Sequence, residues 1–252
     1  MWTKNIGSTG IRTNRSRSLA LAAIALGFLM AVPAAPAERE DSNKLGAEWW
    51  QWALSIPGNV NPMLGSYGSS TNPTPEQCVI GQSGSLWFLA GYFFGGTATR
   101  TCTVPEDKSL FFPLANSINF NTPNCGQNLQ SYSATQVRML AFAGLAGATY
   151  SATLDGNAIH NVQFLQSSVF KVALPGDNVF NFLFGVVCTS PPDPSPTLAA
   201  GIYSPSVDYG YYVLLDPLKK GVHKLQIQST SPTATAPTDV TYTLNVVAVS
   251  ED

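Results

Sequence analysis

A mainly β fold, an antiparallel sandwich or jelly-roll-like domain with one or two packed helices, is what this sequence predicts. Three observations carry that expectation. The last strand-like run, Val240 to Val249, alternates Val240, Tyr242, Leu244, Val246 and Ala248 with Thr241, Thr243 and Asn245. That is period two, one face buried and one polar. Short apolar runs are separated by turn residues, of which Asp155-Gly156 and Pro175-Gly176-Asp177-Asn178 are the clearest. Charged residues make up only 11% of the chain, so Ser, Thr, Asn and Gly fill the polar positions, while aromatics are plentiful enough to build a core.

The elements follow in order. Residues 42–56 read as a helix capped by Ser42 or Asn43 and ended by Pro57-Gly58. Leu45, Trp49, Trp52, Ala53 and Ile56 form its apolar stripe, with Trp50 near the edge and Glu48 and Gln51 off it. Residues 57–77 read as a long loop. Leu86 to Phe94 and Thr97 to Val104 read as two strands joined by a tight Gly95-Gly96 turn, with Leu110 to Leu114 as a third strand. A second helix is expected over 134–146: Ser133 and Gln136 make a capping box, and Val137, Leu140, Ala141 and Leu145 its apolar face. Beyond it the pattern is β. Tyr150 to Leu154 and Ala158 to Leu165 form a hairpin about Asp155-Gly156. Val169 to Leu174 and Val179 to Val187 flank the second turn signal, and 189–198 is a proline-rich loop. Tyr211 to Leu215, Val222 to Gln228 and Val240 to Val249 complete the set. The domain expectation is a leader at 1–37 followed by one β-rich domain over 38–252, with a subdivision near residue 147 as the alternative.

The leader is read from its parts. Arg12, Arg15 and Arg17 are followed by an apolar run of 14 residues, Leu19 to Val32, and then Ala35-Pro36-Ala37. This is a signal-peptide pattern with cleavage after Ala37; the run is short of the roughly 20 apolar residues of a spanning helix. The expected location is the periplasm or the outside of the cell. No later run is long enough to cross a bilayer. Removing the leader leaves nine basic and fifteen acidic residues, a net charge of −6. That argues against nucleic acid and against anionic membrane surfaces as partners.

Four cysteines, Cys78, Cys102, Cys125 and Cys188, all fall after the leader. An even number in an exported chain favours two disulfides. Of three pairings, Cys78–Cys102 with Cys125–Cys188 is favoured, because the first closes a short loop around one strand pair. No CxxC, HxH or HExxH spacing occurs, so no metal is expected; nor is a nucleotide fingerprint present, so no cofactor is.

Chemistry is sparse. His160 reads as a surface residue, and His223, on a face with Leu225 and Ile227, as a core or sheet-lining one. Gly81-Gln82-Ser83-Gly84-Ser85 lacks the spacing of a nucleophile elbow. Most carboxylates are explained by turns and loops. Glu48, beside Trp49 and Trp50, and Asp208, among Tyr203, Tyr209, Tyr211 and Tyr212, remain as catalytic candidates for a pair acting on polysaccharide, which would need them about 5–10 Å apart. Against this stands the reading of those aromatics as core anchors. Arg100 is expected to pair with a buried carboxylate such as Glu48. Candidate ligand-binding residues are Trp50, Gln51, Gln82, Arg100 and Tyr209. Whether Asn116, Asn119 and Asn121 line a site or a loop is left open. The function expected is an exported binding or envelope-associated protein, its partner a small molecule, a glycan or an envelope protein.

Several segments look familiar together: Glu48-Trp49-Trp50-Gln51-Trp52 with Ser55-Ile56-Pro57; Gly81-Gln82-Ser83-Gly84 with Trp87-Phe88-Leu89-Ala90-Gly91; Arg100-Thr101-Cys102-Thr103-Val104-Pro105 leading to Phe111-Phe112-Pro113; and Pro217-Leu218 with Gly221 before His223. Over most of the chain after the leader, these resemble an uncharacterised family of exported bacterial proteins. The resemblance implies a bacterial source and export, and carries no activity.

Overall fold

The computed structural model describes residues 38–64, 78–93, 95–125, 127–183, 188, 198–231 and 236–249. The leader 1–37, most of the loop at 57–77 and the proline-rich loop up to residue 197 lie outside them. Helix α1 spans Glu38–Ser55, four residues longer at its start than expected. A single 3-10 turn, Gly58–Val60, follows. Strands β1 (Leu86–Phe88), β2 (Gly96–Pro105) and β3 (Ser109–Phe120) precede α2 (Ala134–Leu145). Then come β4 (Thr149–Leu154), β5 (Asn157–Ala158), β6 (Val162–Gln166), β7 (Phe170–Leu174), a short helix α3 (Val179–Leu183), β8 (Gly201–Leu215), β9 (Gly221–Thr230) and β10 (Thr238–Val247).

The strands form two five-stranded sheets. The first runs β1-β3-β8-β6, with β7 also on β8. Ser206 of β8 pairs with Phe120 on one side and Phe170 on the other, so β6 and β7 follow one another along the same edge of β8. The second sheet runs β2-β10-β9-β4-β5. The mainly β, sandwich-like architecture is as expected. The pairing is mixed rather than purely antiparallel: β1 lies parallel to β3, and β2 parallel to β10.

That mixture overturns the expected β1–β2 hairpin. Gly95 and Gly96, both at positive φ, carry the chain from the first sheet to the second instead of reversing it within one. A Cβ on Gly95 would run into the Ala236 carbonyl, so glycine is required by the close approach as well as by φ. The hairpin at Asp155-Gly156 does form, between β4 and β5, with Asp155 at φ 51°. Its second arm stops after two residues, and the remainder, β6, joins the other sheet. The strand expected over 179–187 begins as helix α3, whose Asn181 N–H is accepted by Asn178 Oδ1. Residues 184–187 lie outside the description.

The core has three parts, set by strand alternation on β3. Leu110, Phe112 and Leu114 point between the sheets, against Val213 of β8 and Ala98, Cys102, Val104, Leu225, Ile227, Val240, Tyr242 and Leu244 of the second sheet. Phe111 and Phe120 point the other way, under Trp49, Trp50, Trp52 and Leu54 of α1, with Leu165, Val172 and Tyr212. Helix α2 covers Ala115, Val207 and Tyr209 with Val137, Ala141 and Leu145. The first sheet is therefore the middle layer, with α1 on one face and the second sheet and α2 on the other. The disulfides are Cys78–Cys102 and Cys125–Cys188, the favoured pairing. Among the described residues no helix is long and apolar enough to cross a membrane.

Candidate functional site

The two carboxylates singled out in the sequence are not brought together. Asp208 sits mid-strand on β8, wholly buried beneath α1. Its Oδ1 accepts from Trp50 Nε1 at 2.7 Å and from Tyr212 OH at 2.8 Å. Asn116 Nδ2 in turn donates to Tyr212 OH at 3.1 Å. Oδ2 accepts no hydrogen bond and faces Gly46, where any Cβ would strike it. Burial raises the Asp208 carboxyl to about 7, against the lowering effect of the Tyr212 and Trp50 donors. The same burial, with Asp208 beside it, pushes the Tyr212 phenol well above its ordinary value. Glu48 lies two residues before Trp50 on α1 and is exposed. Two residues are about 200° of helical turn, so with Trp50 turned down onto Asp208, Glu48 points away from it.

The expected Arg100–Glu48 pair does not exist either. Arg100 occupies an inward position of β2, 1% exposed, where Ala98, Cys102 and Val104 are its apolar neighbours along the strand. Its guanidinium donates to the carbonyls of Ala90 and Gly91 and to Tyr242 OH, and lies over the Tyr242 ring at 5.4 Å. Tyr242 OH donates to the same Ala90 carbonyl. A buried charge is tolerated here because carbonyl dipoles and a ring face replace water. It holds the 90–91 segment against the second sheet.

The other candidates are also structural. Gln82 Nε2 donates to the carbonyls of Cys78 and Phe88, and its Oε1 accepts from Phe88 N–H, tying the 78–82 turn to β1. Gln51 donates to the Lys171 carbonyl and pins α1 to β7. Tyr209 is buried between Phe142 of α2 and Phe164 of β6, with the Arg138 guanidinium 5.8 Å from its ring. His223 lies half-buried on β9, its Nδ1 2.7 Å from Asp155 Oδ2 and its Nε2 2.8 Å from the Lys219 carbonyl. Each partner raises the imidazole, Asp155 the more, and His223 lowers Asp155. His160 is exposed. Among the described residues no group of three or more His, Cys, Asp or Glu could hold a metal.

Of these candidates Trp50 borders one cavity. That cavity, about 700 Å³, opens beside β3 where the two sheets, α1 and the end of α2 meet. Trp49 and Trp50 form one wall, and Tyr92 and Phe93 a second. Ser229, Thr230 and Ser231 at the end of β9 and Thr238 at the start of β10 form a third. The residues Pro113 to Ile118 of β3 form the floor. Among the described residues no acidic or basic side chain lines it. Asn116 belongs to this floor and lies in a strand, not a loop. Asn121 follows the strand, and its Oδ1 holds the Tyr132 N–H. No protein-family model, curated protein sequence or solved structure matches the chain.

Proposed function

We propose that this is an exported binding protein, with the cavity beside β3 as the site for an uncharged ligand. The observation that carries the reading is the wall chemistry: aromatic rings, hydroxyls and strand backbone around about 700 Å³, without a charged side chain among the described residues. A charged ligand would leave its charge unpaired there, which is costly. Aromatic walls with a few polar groups are the usual make-up of ligand sites. The leader pattern and the two disulfides support export into an oxidising compartment. A small molecule, a glycan and a segment of an envelope protein are the ligands that fit such a site.

The test is a thermal-shift panel on the oxidised full chain. It holds neutral oligosaccharides, peptidoglycan fragments, lipids and capped uncharged peptides, with their charged analogues. A ligand that binds only the folded state raises the melting temperature by mass action. The expected result is a shift with an uncharged class, abolished in Ala148→Trp and in Ser229→Trp, which fill the cavity from two walls. Shifts only with charged compounds, or shifts that survive both variants, would refute the reading.

A further inference from the structure

We infer that the cavity is a strand-addition site, in which an extended, uncharged peptide segment of another protein lies along residues 113–118 of β3 as the next strand. This rests on the cavity being the binding site, and it names the ligand class.

The argument begins with alternation. Successive residues of a strand face opposite sides of its sheet. A space over one face could touch only every second residue. This cavity is touched by all six residues from Pro113 to Ile118, so it lies off the edge of β3. The edge is open there because β1 pairs only as far as Phe111. Among the described strands, only β1 and β8 pair with β3.

The directions of the main-chain groups follow. Ser109 N–H donates to Ser85 O at 3.0 Å and Phe111 O accepts from Leu89 N–H at 3.1 Å, so odd-numbered residues turn outward in the first part of β3. The register shifts between Pro113 and Ala115. Beyond the shift odd-numbered residues turn inward: Asn121 N–H donates to Pro205 O, just past the end of the β3–β8 ladder. Asn116 and Ile118 therefore present N–H and C=O to the cavity. Pro113, which has no N–H, suits an edge and not a central strand.

Several of the polar side-chain groups on the walls are already engaged within the protein. Trp49 Nε1 is spent on Leu89 O, Trp50 Nε1 on Asp208, Asn116 Nδ2 on Tyr212 and Thr230 Oγ1 on Thr149. A sugar would call on such groups in number. An extended main chain calls on an open edge, and its alternate side chains enter the walls on either side.

The experiment uses the oxidised full chain and capped hexapeptides of Ser, Thr, Val and Asn. Two further series carry N-methyl groups on one or the other alternate set of amides. The expected result is binding of the parent peptides, slowed amide exchange at Asn116 and Ile118, and a tenfold or greater loss of affinity for one methylated series only. Equal behaviour of the two series, or unchanged exchange at both amides, would overturn strand addition. So would peptides that do not bind while a neutral sugar shifts the melting temperature and Ala148→Trp removes that shift; the cavity would then remain the site, for a different ligand. No binding by any uncharged probe would overturn both readings.

Discussion

Asp208 is held as a buried carboxyl with two donors on one oxygen and none on the other, and its proton affinity follows. Its folded value, about 7, lies above the ordinary 3.8. Between these values the folded state binds more protons than the unfolded one, so stability falls as pH rises through that window. Each unit is worth about 1.4 kcal/mol, so the loss amounts to about 4 kcal/mol at most. Asp208→Asn keeps an acceptor for Trp50 and Tyr212 and cannot ionise. The melting temperature of the native protein relative to this variant should fall as pH goes from 4 to 8. A constant difference across that range would show that Asp208 does not titrate there. His223 has the same sign in its own window, and its partner Asp155 the opposite one. Raised above 6.5 by Asp155, it contributes stability that is complete below 6.5 and lost as pH passes its raised value. Asp155, lowered below 3.8, contributes above that value and loses its contribution as pH falls through its depressed one. The pair is largely solvated and worth little to global stability, so the sensitive readout is local. In an NMR titration, Asp155→Asn should return the His223 ring toward its ordinary value. An unmoved titration would mean that the Lys219 carbonyl alone sets it.

At the scale of elements, the legible parts are those whose signal is local. Ser133 Oγ accepts from Gln136 N–H and Gln136 Oε1 from Ser133 N–H, so the capping box starts α2 where expected. Ser133→Ala should cost about 1 kcal/mol in denaturant unfolding; a loss near zero would mean that packing on β3 and β8 alone fixes that end. Asp155-Gly156 makes its turn, and β10 shows period two because it is paired on both sides and packed on one face. Misreadings arise where distant contacts decide. The spacing puts Trp50 at the margin of the α1 stripe, yet α1 buries Ala47, Trp50 and Leu54 as well, packed on the first sheet. Leu140 falls on the apolar face of α2 by spacing and is exposed, with Met139 and Phe142, because the sheet reaches only Val137, Ala141 and Leu145. The run from Val179 has the apolar content of a strand. Its helical start is set by Asn178 as cap, and periodicity cannot separate the two over so few residues. β8 runs for 15 residues, of which the sequence pattern predicts only the last five, since Gly201, Pro205 and Gly210 mask the rest. The site was least legible. An open strand edge is a relation between β1, which stops, and β3, which continues; Pro113 was its one trace in the sequence.

At the scale of the whole molecule, the disulfides tie together parts that the hydrogen-bond ladders leave separate. Cys78 precedes β1 of the first sheet and Cys102 is an inward residue of β2 in the second, 24 positions later. That bridge crosses the layers where no ladder can. Cys125 and Cys188 join the segment after β3 to the one after α3, 63 positions apart. In the chain-entropy account a bridge stabilises by restricting the unfolded chain, and more so for a longer loop: about 3.5 kcal/mol for the first and about 4 kcal/mol for the second. Measured losses depart from this where the native state is itself shaped by the bridge. Cys102 is wholly buried in the inter-sheet core beside Val104 and Leu244, whereas Cys125 is only half-buried. Replacing both members of a bridge by serine therefore leaves two hydroxyls in apolar surroundings at Cys78–Cys102, but only one, at position 188, at Cys125–Cys188, where the other lies nearer solvent. An unsatisfied buried hydroxyl costs about 1–3 kcal/mol. The order of effects should accordingly reverse the loop-length order: Cys78→Ser with Cys102→Ser should be the more destabilising double variant in urea unfolding, and alanine at the same two positions should recover part of the loss. If the Cys125–Cys188 variant is instead the weaker protein and alanine recovers nothing, chain entropy governs both bridges and the inter-sheet core tolerates the hydroxyls.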